Sequence, residues 1–348
     1  MNAADPIRAE STRMFMEASA ASRAVRAQLE QDAASIESIG ADLRRLAPRA
    51  VITCARGSSD HAATYAKYLI ETTAGVLTAS AAPSVSSVYG VVQDLRGCLF
   101  IAISQSGSSP DLLATAAAAK SSGATVLAIC NTPGAPLVTS ADLIIEVRAG
   151  LETSIAATKS YLATLAAIAR MVAAWTGNRS LGASLDELPT LMDRSWALDW
   201  SSALPAMVSA DHLYVVGRGL GLSAAQEVAL KCKETCGLHA EAFSSAELRH
   251  GPFTLLKQGF PALLLAQPDA TRPAIAALAN ELAQLGVEVL IAGQQAAGAT
   301  ELPTIEAIAE LSPILLVQSA YRMIAALAVG RGYDPDHPAH LRKITKTL

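Results

Sequence analysis

The sequence predicts an α/β protein made of two copies of one domain, each a parallel sheet flanked by helices. An amino-terminal helical segment precedes them and a carboxyl-terminal tail follows. The first observation is that short runs of branched aliphatic residues, bounded by Gly, Ser, Asn or Pro, alternate with helical stretches. The second is that these runs are continuously apolar, as strands covered on both faces require. The third is a repeat in register. Arg56-Gly57 has a counterpart in Arg218-Gly219, and Ala102–Gln105 matches Leu264–Gln267, both at an offset of 162. GATVLAI from Gly123 matches GVEVLIA from Gly286 at an offset of 163. Matches at offsets that agree to within one residue mark a duplication.

Each element follows in order. Residues 1–47 read as helical: Met14, Ala18, Ala21, Val25 and Leu29 recur at helical spacing, then Ile36, Ile39, Leu43 and Leu46, until Pro48. The first domain, 48–179, holds strand runs AVITCA (50–55), CLFIAI (98–103), ATVLAI (124–129) and DLIIEV (142–147), with another short strand expected within 79–90. A helical linker is expected over 180–208. The second domain, 209–330, opens on HLYVVG, and 331–348 is a tail with no counterpart in the first half.

Composition narrows the function. A chain of 348 residues is long enough for two cores. Apolar residues make up 51% and aromatics only 4%, so those cores are aliphatic. A net charge of −4 and a pI near 5.9 argue against nucleic acid and anionic membrane surfaces, which favour a basic face. The partner expected is a small molecule. The start MNAADPIRAESTRMF lacks a basic n-region and a continuous apolar core. The most apolar late segment, 313–329, is interrupted by Gln318 and Arg322, so no membrane span is expected. Five scattered cysteines do not make a disulfide framework. Cys232 and Cys236 sit four apart on a helix, but no His or carboxylate completes a metal set, so core packing is favoured. The expectation is a reduced, cytoplasmic protein without a metal or cofactor.

Two segments carry chemistry. In Ser104-Gln105-Ser106-Gly107-Ser108-Ser109-Pro110-Asp111 a buried strand runs into a helix with Ser109 placed to N-cap it, Pro110 at its first position and Asp111 in its first turn. Small hydroxyl residues and free N–H groups at a helix amino terminus make an anion site. An ordinary capped loop is the plain alternative. Serine density at a parallel strand's carboxyl end favours phosphate, and Arg56-Gly57-Ser58-Ser59-Asp60 would add donors. No nucleotide-binding glycine pattern follows a strand, which favours a sugar phosphate over a nucleotide.

In the second half Glu227, Lys231 and Glu234 share a helix face. The plain alternative is a solvated salt-bridge face. HAEAFSSAELRHGP (239–252) adds two His and two Glu. A histidine titrates where opening of a sugar hemiacetal needs it, and a carboxylate can carry a proton between adjacent carbons; by chemistry alone His250 could equally be structural. The tail, DPDHPAHLRKITKTL, is lysine-rich. Such an end is usually frayed, but a lysine reaching a carbonyl can form a Schiff base.

With ISQSGSSPD, ETSIAATKSY, ALKCKETCGLHAEAFSSAELRHGP and HPAHLRKITKT in this order, the chain from about residue 50 onward resembles the sugar isomerase (SIS) family. Within it the likeness is to the isomerase part of glucosamine-6-phosphate synthase and to the SIS-type glucosamine-6-phosphate deaminases. The resemblance implies two tandem SIS domains. It implies that Ser58, Ser59, Ser104, Gln105, Ser106 and Ser109 hold a phosphate, with Ile155 and Lys231 also at the substrate. It implies that Glu234 moves a proton between C1 and C2, and that His250 opens the ring from across a homodimer interface. It implies that Lys343, in a carboxyl-terminal loop, forms a Schiff base with the open ketose phosphate.

Departures from the family pattern shape the expectation. The chain starts Met1-Asn2 without the synthase's glutaminase domain and its nucleophilic Cys, so it is not expected to take ammonia from glutamine. Ala157 stands where the synthase has a serine, the final Lys346-Thr347-Leu348 differ, and Arg56 resembles the shorter deaminases. The expected function is conversion of glucosamine 6-phosphate and water to fructose 6-phosphate and ammonia. A deglycase or aldose–ketose isomerase for another amino or amine-linked sugar phosphate is one rival. A non-catalytic sugar-phosphate-binding regulator is another, against which stand the missing DNA-binding appendage and the joint presence of Glu234, His250 and Lys343.

Overall fold

Strand formation follows the apolar runs. The computed structural model describes residues 7–343, which fall into two units. One comprises residues 23–151 and 160–189, the other the residues up to 22, 152–159 and 190–343.

The first unit holds β1 (Ala50–Cys54), β2 (Thr78–Ser80), β3 (Cys98–Ser104), β4 (Thr125–Cys130) and β5 (Leu143–Glu146), all parallel, in the order β2-β1-β3-β4-β5. Every residue of the central β3 is buried, which is why its sequence runs apolar without alternation. Ala50 pairs with Cys98 and Leu99 with Thr125. Phe100 and Val126 pack on Leu112, Ala116 and Ala119 of the helix Pro110–Ser121; small alanines let helix and sheet approach closely. The helix Ala33–Leu46 meets the helix Lys159–Thr176 at Gly40, where a Cβ would stand 2.7 Å from the Ala174 backbone. The strand expected within 79–90 lies at Thr78–Ser80, and Pro83 instead opens a short helix, Pro83–Ser87, as its fixed φ and missing N–H favour.

The second unit holds β6 (His212–Gly217), β7 (His239–Ser244), β8 (Pro261–Leu265), β9 (Glu288–Ala292) and β10 (Thr300–Leu302), again all parallel, in the order β10-β9-β8-β6-β7. Matching β6 to β1, β7 to β2 and β8 to β3 reproduces the first sheet's order. The duplication read from the repeat is therefore a duplication of topology, and the α/β class with two parallel sheets holds.

The helix Ser312–Gly330 is long and apolar enough to cross a membrane, yet 78% of its apolar window is buried inside the protein. Its Gln318 side chain donates to Ala18 O at 3.0 Å. The tail beyond it is tied down. Arg331 donates to the carbonyls of Cys236, Met207, Val208 and Ala210. The Asp336 carboxylate accepts from the backbone N–H groups of Arg13 and Met14, satisfying free donors at the start of the helix Arg13–Ser19. All five cysteines are buried and free; burial pushes the Cys54 thiol up to about 12, so it stays neutral and acts as a small apolar group.

Candidate active site

In the first unit the candidate residues gather at the carboxyl ends of β1 and β3. These strands are neighbours at the point where the strand order reverses, the place where open parallel sheets bind ligands. The β1 loop turns at Gly57 (φ +55°), directly before Ser58 and Ser59 open the helix Ser58–Ala74. The β3 loop runs from Ser104 to Ser109. Ser104, 8% exposed, accepts from the Gly107 N–H at 3.0 Å, and Ser108 donates to Ser106 at 3.1 Å. Gly107 has φ +61°, and a Cβ there would lie 2.7 Å from both Cys130 Sγ and Ala135 Cβ. Only glycine fits that turn.

Ser109 is the N-cap of the helix Pro110–Ser121, but its side chain makes no capping hydrogen bond. Arg56 is held by an ion pair with Asp111, 3.1 Å from Nη2 to Oδ2, and Asp111 is 3% exposed. Ser104, Gln105, Ser106 and Ser109 thus share one loop, with Ser58 and Ser59 on the next. Small hydroxyls, backbone N–H groups at a helix start and one oriented guanidinium suit a phosphate-sized anion.

In the second unit the helix Gly221–Cys236 carries a buried chain of polar groups. Tyr321 Oη donates to Glu227 Oε1 at 2.8 Å; Lys231 Nζ lies 3.3 Å from Glu227 Oε1 and 2.6 Å from Glu234 Oε2. Burial alone would push Lys231 down, but the carboxylates of Glu227 and Glu234 outweigh it and hold the lysine above its ordinary range. Glu227 and Lys231 are 0% and 1% exposed, whereas Glu234 is 21% exposed. Of these three residues Glu234 is the one partly open to solvent. A solvated salt-bridge face does not describe these residues.

His250 ends a short 3-10 turn, Glu247–Arg249, with its backbone N–H on Glu247 O at 2.9 Å and its side chain exposed. Ile155 lies half-buried in the loop 152–159. Lys343 joins this loop: its Nζ donates to Ser154 O at 2.6 Å and lies 3.5 Å from Glu152 Oε2. Among the described residues neither His250 nor Lys343 hydrogen-bonds to Glu234, and no cluster of His, Cys, Asp or Glu has the makings of a metal site.

Sequence reasoning missed Tyr321 and Glu152. Tyr321 is the sole tyrosine of an apolar helix and meets Glu227 across 94 positions, so no spacing announces it. Glu152 carried a visible signal, an acidic residue inside the small-residue motif ETSIAATKSY.

Comparison with known proteins matches these elements. The SIS domain family model matches residues 47–174 and 206–326. The chain is 32% identical over 326 residues to a glutamine–fructose-6-phosphate aminotransferase (isomerizing) of Symbiobacterium thermophilum, covering 87% of this chain and 52% of the relative. It thus spans about half the length of the curated relatives it matches. Among solved structures, a Silicibacter pomeroyi protein proposed to be a phosphosugar isomerase superposes with a TM-score of 0.90 at 38% identity, covering 93% of this chain and all of that one. The glucosamine-6-phosphate deaminase of Thermotoga maritima shares the fold, with a TM-score of 0.79 at 22% identity over 97% of this chain and 100% of that one.

Proposed function

We propose that this chain, which belongs to the SIS domain family, converts glucosamine 6-phosphate and water to fructose 6-phosphate and ammonia. The observation that carries the reading is the buried Glu227–Lys231–Glu234 chain. It fixes a carboxylate beside an amine, partly open to solvent, as a base that moves a proton between adjacent carbons must be.

In this reading Ser104, Gln105, Ser106, Ser109, Ser58 and Ser59 hold the phosphate. His250 opens the pyranose, and Glu234 carries the proton from C2 to C1. The C2 imine that results is hydrolysed, releasing ammonia, and Lys343 binds the open ketose chain as a Schiff base. Ile155 and Lys231 line the substrate. His250 serves the neighbouring copy in a homodimer, for which its exposure on the protomer leaves it available. Domain roles follow: residues 48–179 bind, residues 209–330 supply acid and base, and the tail from 331 supplies the lysine.

Ala157, where the synthase has a serine, favours a second reading, in which the same residues act on another amino or amine-linked sugar phosphate. Ammonia and ketose phosphate measured over a panel of hexosamine 6-phosphates separate the two. Turnover highest with glucosamine 6-phosphate supports the first. Ammonia from a different member alone supports the second, and no ammonia with free ketose–aldose interconversion overturns deamination.

A further inference from the structure

The loop 152–159 is more firmly built than a substrate-lining segment requires. The Glu17 carboxylate accepts from the Thr153 N–H at 2.5 Å, the Thr153 hydroxyl at 3.0 Å and the Ser154 N–H at 3.0 Å. Glu152, its side chain 0% exposed, accepts from the Thr158 N–H at 3.1 Å through Oε1 and turns Oε2 to Lys343 Nζ at 3.5 Å. The Ser154 and Thr158 hydroxyls are buried there without a hydrogen-bond partner among the described residues. An ion pair with a buried member is a poor way to anchor a tail, because desolvation cancels most of its attraction. Its worth lies in fixing one amine beside one carboxylate.

We propose that Glu152 is a positioning residue for Lys343, holding its ε-amine at this loop and exchanging a proton with it as the amine bonds to a sugar carbonyl. The inference rests on the Schiff-base reading given above. In its ammonium form a lysine has no lone pair to donate. Glu152 takes one proton from it. The nitrogen lone pair then forms the bond to C2 of the open ketose while the carbonyl π pair moves onto oxygen, which takes up a proton from the nitrogen. Glu152 returns its proton to that hydroxyl, the C–O bond breaks, and water leaves. The iminium that remains stays paired with the Glu152 carboxylate, and no net proton is gained or lost.

The test uses the full chain, fructose 6-phosphate and borohydride, with labelling of Lys343 followed by mass spectrometry. Wild type is labelled. Glu152→Gln keeps the Thr158 contact but not the charge, so its labelling slows on the order of 10²-fold while KM stays within about twofold. Where Glu152→Gln does not fold, Glu152→Asp decides, since its carboxylate falls one methylene short of Lys343 and labelling slows about tenfold. An unlabelled wild type overturns the Schiff base and this inference with it. A labelled wild type with a folded variant labelled equally fast overturns the role of Glu152 alone.

Discussion

The two sheets share one strand order, yet the loops after β3 and after β8 end in different chemistry. β3 ends on Ser104, three more serines and Gly107 follow it, and the first carboxylate, Asp111, is paired with Arg56. After β8 the register of Gly107 is held by Asp269. Its carboxylate accepts from the Thr271 N–H at 2.7 Å, the Thr271 hydroxyl at 2.5 Å and the Gln267 side-chain amide. The second copy answers the donors before the helix Arg272–Gln284 with an anion of its own, whereas the first has none in its loop. Conversely, the helix after β6 carries the Glu227–Lys231–Glu234 chain, and the helix after β1 has no such series. Duplicated scaffolds keep their apolar strands and diverge in their loops and helix faces, which is where function is placed.

The proposed reading gives binding to one copy and proton transfer to the other, and substitutions can break it. The largest effect expected is at Glu234. Glu234→Gln keeps the shape but loses the base, so kcat for ammonia release falls on the order of 10²–10⁴-fold with KM little changed; initial-rate kinetics read this directly.

Next comes the fit of the phosphate loop. Gly107→Ala forces a Cβ against Cys130 and Ala135 at positive φ, and thermal unfolding should show a loss of about 2–4 kcal/mol. On the proposed reading Ser104→Ala and Ser109→Ala each remove one hydrogen bond to the phosphate, about 1.5–3 kcal/mol, visible as a raised KM for the phosphorylated sugar. The smallest effect is expected at the twin loop: Asp269→Ala removes local turn bonds and leaves KM within about twofold. A KM rise there as large as at Ser104 would break the division between the copies.

Much of the fold is legible in the sequence. The strands show because burial on both faces leaves continuous apolar runs, and β3 is the plainest because all of it is buried. The serine loop shows because its donors lie in sequence together. Lys231 and Glu234 show because helical spacing brings them to one face, though their burial does not, since polar residues on a helix usually face water. What stays hidden is pairing over long separations. Tyr321 with Glu227, and Lys343 with Ser154 across 189 positions, leave no periodic trace. The start of β2 was also hidden, because a three-residue strand beside a Pro-headed helix offers too little pattern.

The most direct test of the division of labour is washout of the C2 proton of glucosamine 6-phosphate in deuterated water, followed by proton NMR at saturating substrate. The account predicts wild-type washout in Ser104→Ala once the sugar is saturating, and washout slowed on the order of 10²-fold or more in Glu234→Gln. Wild-type washout in Glu234→Gln, or its loss in saturated Ser104→Ala, would contradict it.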